Sequence, residues 1–136
     1  MYIDTSCLAA YYLPEPKSKQ VQRQIQSSDR ITISYITEIE LLSAINKKVR
    51  VGDLQKADGI KSWKLFKEHR QTGLFDVAEL STEVFKSAEL IMETTSYALR
   101  SLDAIHLGIV HHFGFKLFTF DQMMLDVAKE FKIDIV

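Results

Sequence analysis

Arg100-Ser101-Leu102-Asp103-Ala104-Ile105-His106-Leu107-Gly108-Ile109-Val110-His111-His112-Phe113-Gly114-Phe115-Lys116-Leu117-Phe118-Thr119-Phe120-Asp121 is the stretch that decides the fold. Leu102 to Phe113 is largely apolar and reads as a deeply packed helix, with Gly114 placed as its C-terminal stop. Leu117 to Phe120 reads as a buried strand, and Asp121 hands it over to a further helix, Gln122 to Phe131. An acid thus opens the first helix, and a second acid closes the strand behind it.

The same handover recurs along the chain. Asp4 closes the apolar opening Met1-Tyr2-Ile3, before a helix through Leu8 to Leu13 that Pro14-Glu15-Pro16 ends. Lys17 to Gln26 carries Val21 and Ile25 at helical spacing, an exposed amphipathic helix. Ile31 to Ile33 is a β-branched strand, followed by a helix from Thr37 to about Val51 with Glu40 in its first turn. A polar helical stretch from Asp53 ends at Thr72-Gly73, Leu74 to Val77 reads as a strand, and Ser81 starts a helix. Ile133 to Val136 reads as a last strand. Strands separated by helices imply parallel βαβ units. The expected fold is one α/β domain over residues 1–136, with three α/β/α layers around a short, mainly parallel sheet.

In such a sheet the carboxyl ends of the strands share one edge, so Asp4, Glu40, Asp103 and Asp121 can converge in one crevice. Each acid also has a plain structural reading. Asp121 suits a helix N-cap, and Asp103 suits the positive end of a helix dipole. Thr37 and Glu40 fit a T-x-x-E capping box. Asp4 is hardest to reduce to a cap, because an unpaired charge on a buried strand is costly. Gathered carboxylates repel unless a cation neutralises them, which asks for a hard divalent ion such as Mg²⁺ or Mn²⁺. Such an ion lowers the pKa of a bound water and offsets charge on a phosphate under attack. With no catalytic His or Cys pair, the set fits phosphodiester hydrolysis better than acyl transfer.

Other residues sort around that set. Glu38 and Glu40 are two apart and fall on nearly opposite faces of the helix, so only one points into the site. Thr5, Ser6 and Thr119 stand where they can hydrogen-bond a carboxylate or serve as turn residues. His106, amid Ile105, Leu107 and Ile109, reads as a packed core histidine. Arg100 and Lys47 are candidate phosphate contacts, although Lys47, Lys48 and Arg50 equally suit a helix C-terminus. There is no G-x-x-x-x-G-K-[ST] loop, G-x-G-x-x-G turn or G-x-S-x-G elbow. Ser6 stands where a haloacid-dehalogenase phosphatase needs a second Asp.

Bulk properties set outer bounds. A chain of 136 residues, 46% hydrophobic and 26% charged, is that of an ordinary globular domain. A net charge of −1 means that any nucleic-acid binding relies on a local basic patch. The single Cys7 cannot form an internal disulfide and fits a reducing, cytoplasmic setting. No apolar run approaches the ~20 residues that span a bilayer, and the opening lacks the basic region of a secretory leader.

The chain closely resembles the PIN-domain family, in particular its VapC-type toxins. The resemblance rests on Tyr2-Ile3-Asp4-Thr5-Ser6 with Tyr12-Leu13-Pro14-Glu15-Pro16, on Ser34 to Ala44, on Arg100 to Leu107, and on Thr119-Phe120-Asp121. It implies that Asp4, Glu40, Asp103 and Asp121 are the metal-binding catalytic quartet, and its register selects Glu40 over Glu38. It further implies a Mg²⁺- or Mn²⁺-dependent endoribonuclease, the toxin of a type II toxin–antitoxin system. An RNA substrate, a homodimer and a small cognate antitoxin that blocks the site follow from the same likeness. Gly108 stands where relatives often have Ala, a minor departure. Two other readings share the acids: a non-catalytic PIN-like RNA- or protein-binding module, and a metal-dependent DNA nuclease or phosphatase. Trp63, Leu65 and Phe66, with the apolar face of Lys17 to Gln26, either complete the core or offer an interface.

Overall fold

The computed structural model describes residues 1–136. Strands β1 (Tyr2–Ile3), β2 (Thr32–Ser34), β3 (Asp76–Ala78) and β4 (Leu117–Phe118) form one sheet in the order β3-β2-β1-β4. All its pairings are parallel, with Tyr2 opposite both Thr32 and Leu117. The helices are α1 (Thr5–Tyr12), α2 (Ser18–Gln26), α3 (Tyr35–Val51), α4 (Lys56–Gln71), α5 (Thr82–Thr94), α6 (Ser101–Phe113) and α7 (Gln122–Glu130).

The two-residue period of a strand explains the layers. Ile3, Ile33 and Phe118 point into one core, which α1 to α4 close with Leu8, Val21, Leu41 and Phe66. Tyr2 and Leu117, their immediate neighbours, point into a second core closed by Val84, Ile91, Leu107 and Met124. Strands β1 and β4 are buried on both faces and wholly apolar, whereas β2 buries Thr32 and Ser34 beside Ile33, and the edge strand β3 exposes Asp76.

Several element ends differ from the sequence expectation. The helix expected from Thr37 starts at Tyr35, capped by Ser34, whose Oγ accepts the Thr37 N–H at 3.3 Å. Thr37 returns the contact from the Ser34 N–H, so the capping box is Ser34–Thr37, and Glu40 has no part in it. The helix expected from Asp53 begins only at Lys56, because the Asp53 and Leu54 N–H groups close the end of α3 at Lys48 O. The strand expected at Ile133 to Val136 is a single bridge, Leu117 to Ile135, at the sheet edge. Gly114 ends α6 in the left-handed conformation as its sequence position predicts (φ 65°).

Gly108 does more than its sequence reading suggests. A Cβ there would lie 2.8 Å from Val84 O and 2.9 Å from Ala88 N, so its bare backbone lets α5 and α6 approach closely. Phe66, Val21 and Ile25 are buried and Trp63 packs against the same core, so these residues complete the domain, whereas Leu65 stays exposed on α4.

Candidate active site

The carboxyl ends of β1, β2 and β4 meet the starts of α1, α3 and α7, and the start of α6 lies beside them. Asp4 follows β1 and caps α1, accepting the Cys7 N–H at Oδ1 (3.0 Å). Ser6 Oγ donates to the same carboxylate at 2.8–2.9 Å, and Thr119 Oγ1, from beyond β4, donates to Oδ2 at 2.6 Å. Asp4 is only 3% exposed. Burial is the largest influence on its carboxyl and holds it above the usual range, against the pull of Thr119, Cys7 and Ser6.

Asp121 likewise caps α7, accepting the Met124 N–H at Oδ1 (3.1 Å). Its own N–H donates to Thr119 Oγ1 at 2.9 Å, so one threonine ties Asp4 to the backbone of Asp121. Asp103 sits in the first turn of α6 and takes Arg100 Nε at 2.7 Å on Oδ2. Arg100 Nη2 reaches Asp121 Oδ2 at 3.3 Å. One guanidinium therefore stands between two of the four acids.

Glu40 is reached from α3. Thr5 Oγ1 donates to its Oε2 in a short hydrogen bond, and His106 Nε2 approaches the same oxygen at 2.7 Å. Burial raises the Glu40 carboxyl, but the His106 and Thr5 hydrogen bonds outweigh it, and the net position is below the ordinary value. Glu38 points elsewhere, to Arg70 Nε at 3.4 Å. His106, which its sequence context reads as packed core, is buried yet hydrogen-bonds a site acid. Its position one turn past Asp103 was the only signal, because the Glu40 partner lies 66 positions away.

Capping and site-building are not alternatives here. Asp4 and Asp121 each spend an oxygen on a helix N-terminus while the carboxylate stays tied into the site. Asp4, Asp121 and Asp103 are joined in turn through Thr119 and Arg100, while Glu40 is held separately by Thr5 and His106. No three acidic, His or Cys side chains gather as an ion cage. Arg100 supplies the positive charge instead. By donor chemistry the site suits a hard cation, since every acid offers oxygen and the buried Asp4 needs a counter-charge. Beside the acids runs a groove of about 410 Å³ lined by Thr5, Ser6, Ala44, Lys17 and Phe120. The Lys17 ammonium lies 4.0 Å from the Phe120 ring centroid across that groove. Lys47 is exposed on α3, while Lys48 pairs with Glu15 at 3.2 Å.

The PIN-domain profile matches residues 1–130. The chain belongs to the PIN-domain family. This PIN domain is 22% identical over 134 residues to ribonuclease VapC3 of Pyrobaculum aerophilum, covering 93% of the chain and 92% of that protein. Its fold matches the solved structure of the sarcin–ricin-loop-cleaving toxin VapC20 of Mycobacterium tuberculosis (TM-score 0.74, 14% identity, 93% and 94% of the two chains). It also matches VapBC2 of Rickettsia felis, solved with a fragment of promoter DNA (TM-score 0.70, 12% identity, 99% and 96% covered). No helix of this PIN domain is long and apolar enough to cross a membrane.

Proposed function

We propose that this PIN domain is a Mg²⁺- or Mn²⁺-dependent endoribonuclease, the toxin of a type II toxin–antitoxin pair acting in the cytoplasm. The observation that carries the reading is the joining of Asp4, Asp121 and Asp103 through Thr119 and Arg100 at the carboxyl edge of the sheet, with Glu40 held by Thr5, the residue after Asp4, and by His106. Its near-full-length likeness to a ribonuclease supports the substrate class.

These four residues hold the cation, which when bound supplies water activation and charge neutralisation at the phosphate. Thr5, Ser6 and Thr119 orient the carboxylates that they hydrogen-bond. Arg100 and Lys47 are the phosphate contacts, and the Lys17–Phe120 groove beside the acids offers a cation and an aromatic face to an RNA strand. A homodimer and an antitoxin have apolar surface to use: Tyr35 and Ile39 on α3, and Phe85 and Met92 on α5, are exposed. The antitoxin is a small protein that offers a cationic side chain to the acids, the place that Arg100 takes within the chain.

RNA cleavage in Mg²⁺ or Mn²⁺, beside DNA and phosphomonoester controls, tests the reading. Glu40→Gln should lose most turnover and stay folded, whereas Glu38→Gln should keep it. Equal activity in the two variants sinks the assignment. RNA binding without turnover in any metal would identify a non-catalytic module instead.

A further inference from the structure

His106 is 2% exposed, and both of its ring nitrogens are engaged. Nδ1 stands 2.6 Å from Tyr2 Oη, and Nε2 stands 2.7 Å from Glu40 Oε2. Tyr2 is fully buried. Ser34 Oγ and Thr37 Oγ1 lie 3.0 and 3.2 Å from the Tyr2 oxygen and can donate to it. That leaves the Tyr2 proton for His106 Nδ1. An ionised Glu40 only accepts, so Nε2 carries the imidazole proton. With that tautomer, a chain of hydrogen bonds runs from the cap of α3 through Tyr2 and His106 to Glu40.

Any buried histidine must satisfy its nitrogens. Here the partner is a carboxylate whose side chain is 26% exposed and which water could solvate unaided. Both protein hydrogen bonds to Glu40 fall on Oε2, which leaves Oε1 for an external ligand. We propose that His106, braced by Tyr2, is a positioning residue that fixes the Glu40 carboxylate so that Oε1 meets the divalent cation. The inference rests on the cation-dependent reading of the site.

The test is Mn²⁺ affinity of the full chain, read by loss of the free-Mn²⁺ resonance signal and by thermal shift, without RNA. His106→Phe should weaken Mn²⁺ binding ~10–100-fold, the usual cost of losing a hydrogen-bond partner behind a metal ligand. His106→Gln, which keeps one N–H for Glu40, should lose less, and Tyr2→Phe should move affinity the same way. In a Glu40→Gln background, His106→Phe should add no further loss. Affinity within about twofold of wild type in His106→Gln and Tyr2→Phe, with only the metal-free Tm lowered, would overturn the proposal even if His106→Phe does not fold. A wild-type protein that binds no Mn²⁺ would remove the cation reading itself, and this inference with it.

Discussion

Thr119 donates its hydroxyl to Asp4 Oδ2 at 2.6 Å, tying the ends of adjacent strands across 115 positions of sequence. Because the same oxygen accepts the Asp121 N–H, one small side chain sets the separation of two site acids. Thr119→Val keeps the shape and removes the donor, leaving a buried carboxylate oxygen short of a partner. The metal-free protein should lose ~1–3 kcal/mol in chemical denaturation. Thr119→Ser should lose less, and equal losses in the two variants would show that shape rather than the hydroxyl matters.

Arg100 bridges Asp103 and Asp121 while its side chain stays 75% exposed. Exposed pairs contribute only ~0–1 kcal/mol, so Arg100→Gln should barely move the metal-free Tm. A guanidinium and a divalent cation compete for the same oxygens, so the variant should bind Mn²⁺ more tightly in calorimetry. It should also raise KM for RNA, because a phosphate contact is lost. Weaker Mn²⁺ binding would mean that Arg100 assembles the site rather than competing for it.

Asp4 gives the site a pH signature. Its carboxyl is raised in the fold by burial, so the native state binds more protons than the unfolded chain across the window above the ordinary value. Stability from this group therefore falls as pH rises from about 4, the usual Asp range. Without metal, Asp4→Asn should gain on the wild-type protein in denaturant midpoint as pH rises from about 4. Saturating Mn²⁺ should reverse the order at neutral pH, because the ion binds the native wild-type site. A difference that does not change with pH would count against a raised carboxyl.

Gly108 should not tolerate a methyl group. Alanine is the better helix former by about 1 kcal/mol, yet its Cβ would meet backbone atoms of α5 that trimming a side chain cannot relieve. Overpacking of this kind costs ~1–3 kcal/mol. Gly108→Ala should therefore lower the Tm despite its helix propensity, and a raised Tm would mean that α5 slides away freely.

Much of this protein was legible along the chain because the signals are local. Apolar runs, helical spacing, Pro14 and Gly114 placed the elements, and Asp4, Asp103 and Asp121 lie where a strand or loop hands over to a helix, whereas Glu40 falls in the second turn of α3 because that helix starts at Tyr35 rather than Thr37. Thr5, Ser6 and Thr119 were marked out by adjacency to those acids, and each does hydrogen-bond one. The weak last strand was over-read, since an apolar tail has strand propensity whether or not a neighbour is long enough to pair with it.

Tertiary structure alone decided the partners. The alternation of side chains sends Tyr2 and Ile3 to opposite faces, and that turn of the backbone brings the Tyr2 hydroxyl to His106, 104 positions away. Helices α3 and α6 pack on opposite faces of the sheet and meet at its carboxyl edge, so Glu40 meets His106 rather than the capping box its spacing suggested. Arg100 lies between two carboxylates because α6 and α7 begin at the same edge of the sheet. Periodicity and propensity act over a few residues and set the elements. Hydrogen bonds between elements depend on register and packing, which only the folded chain defines.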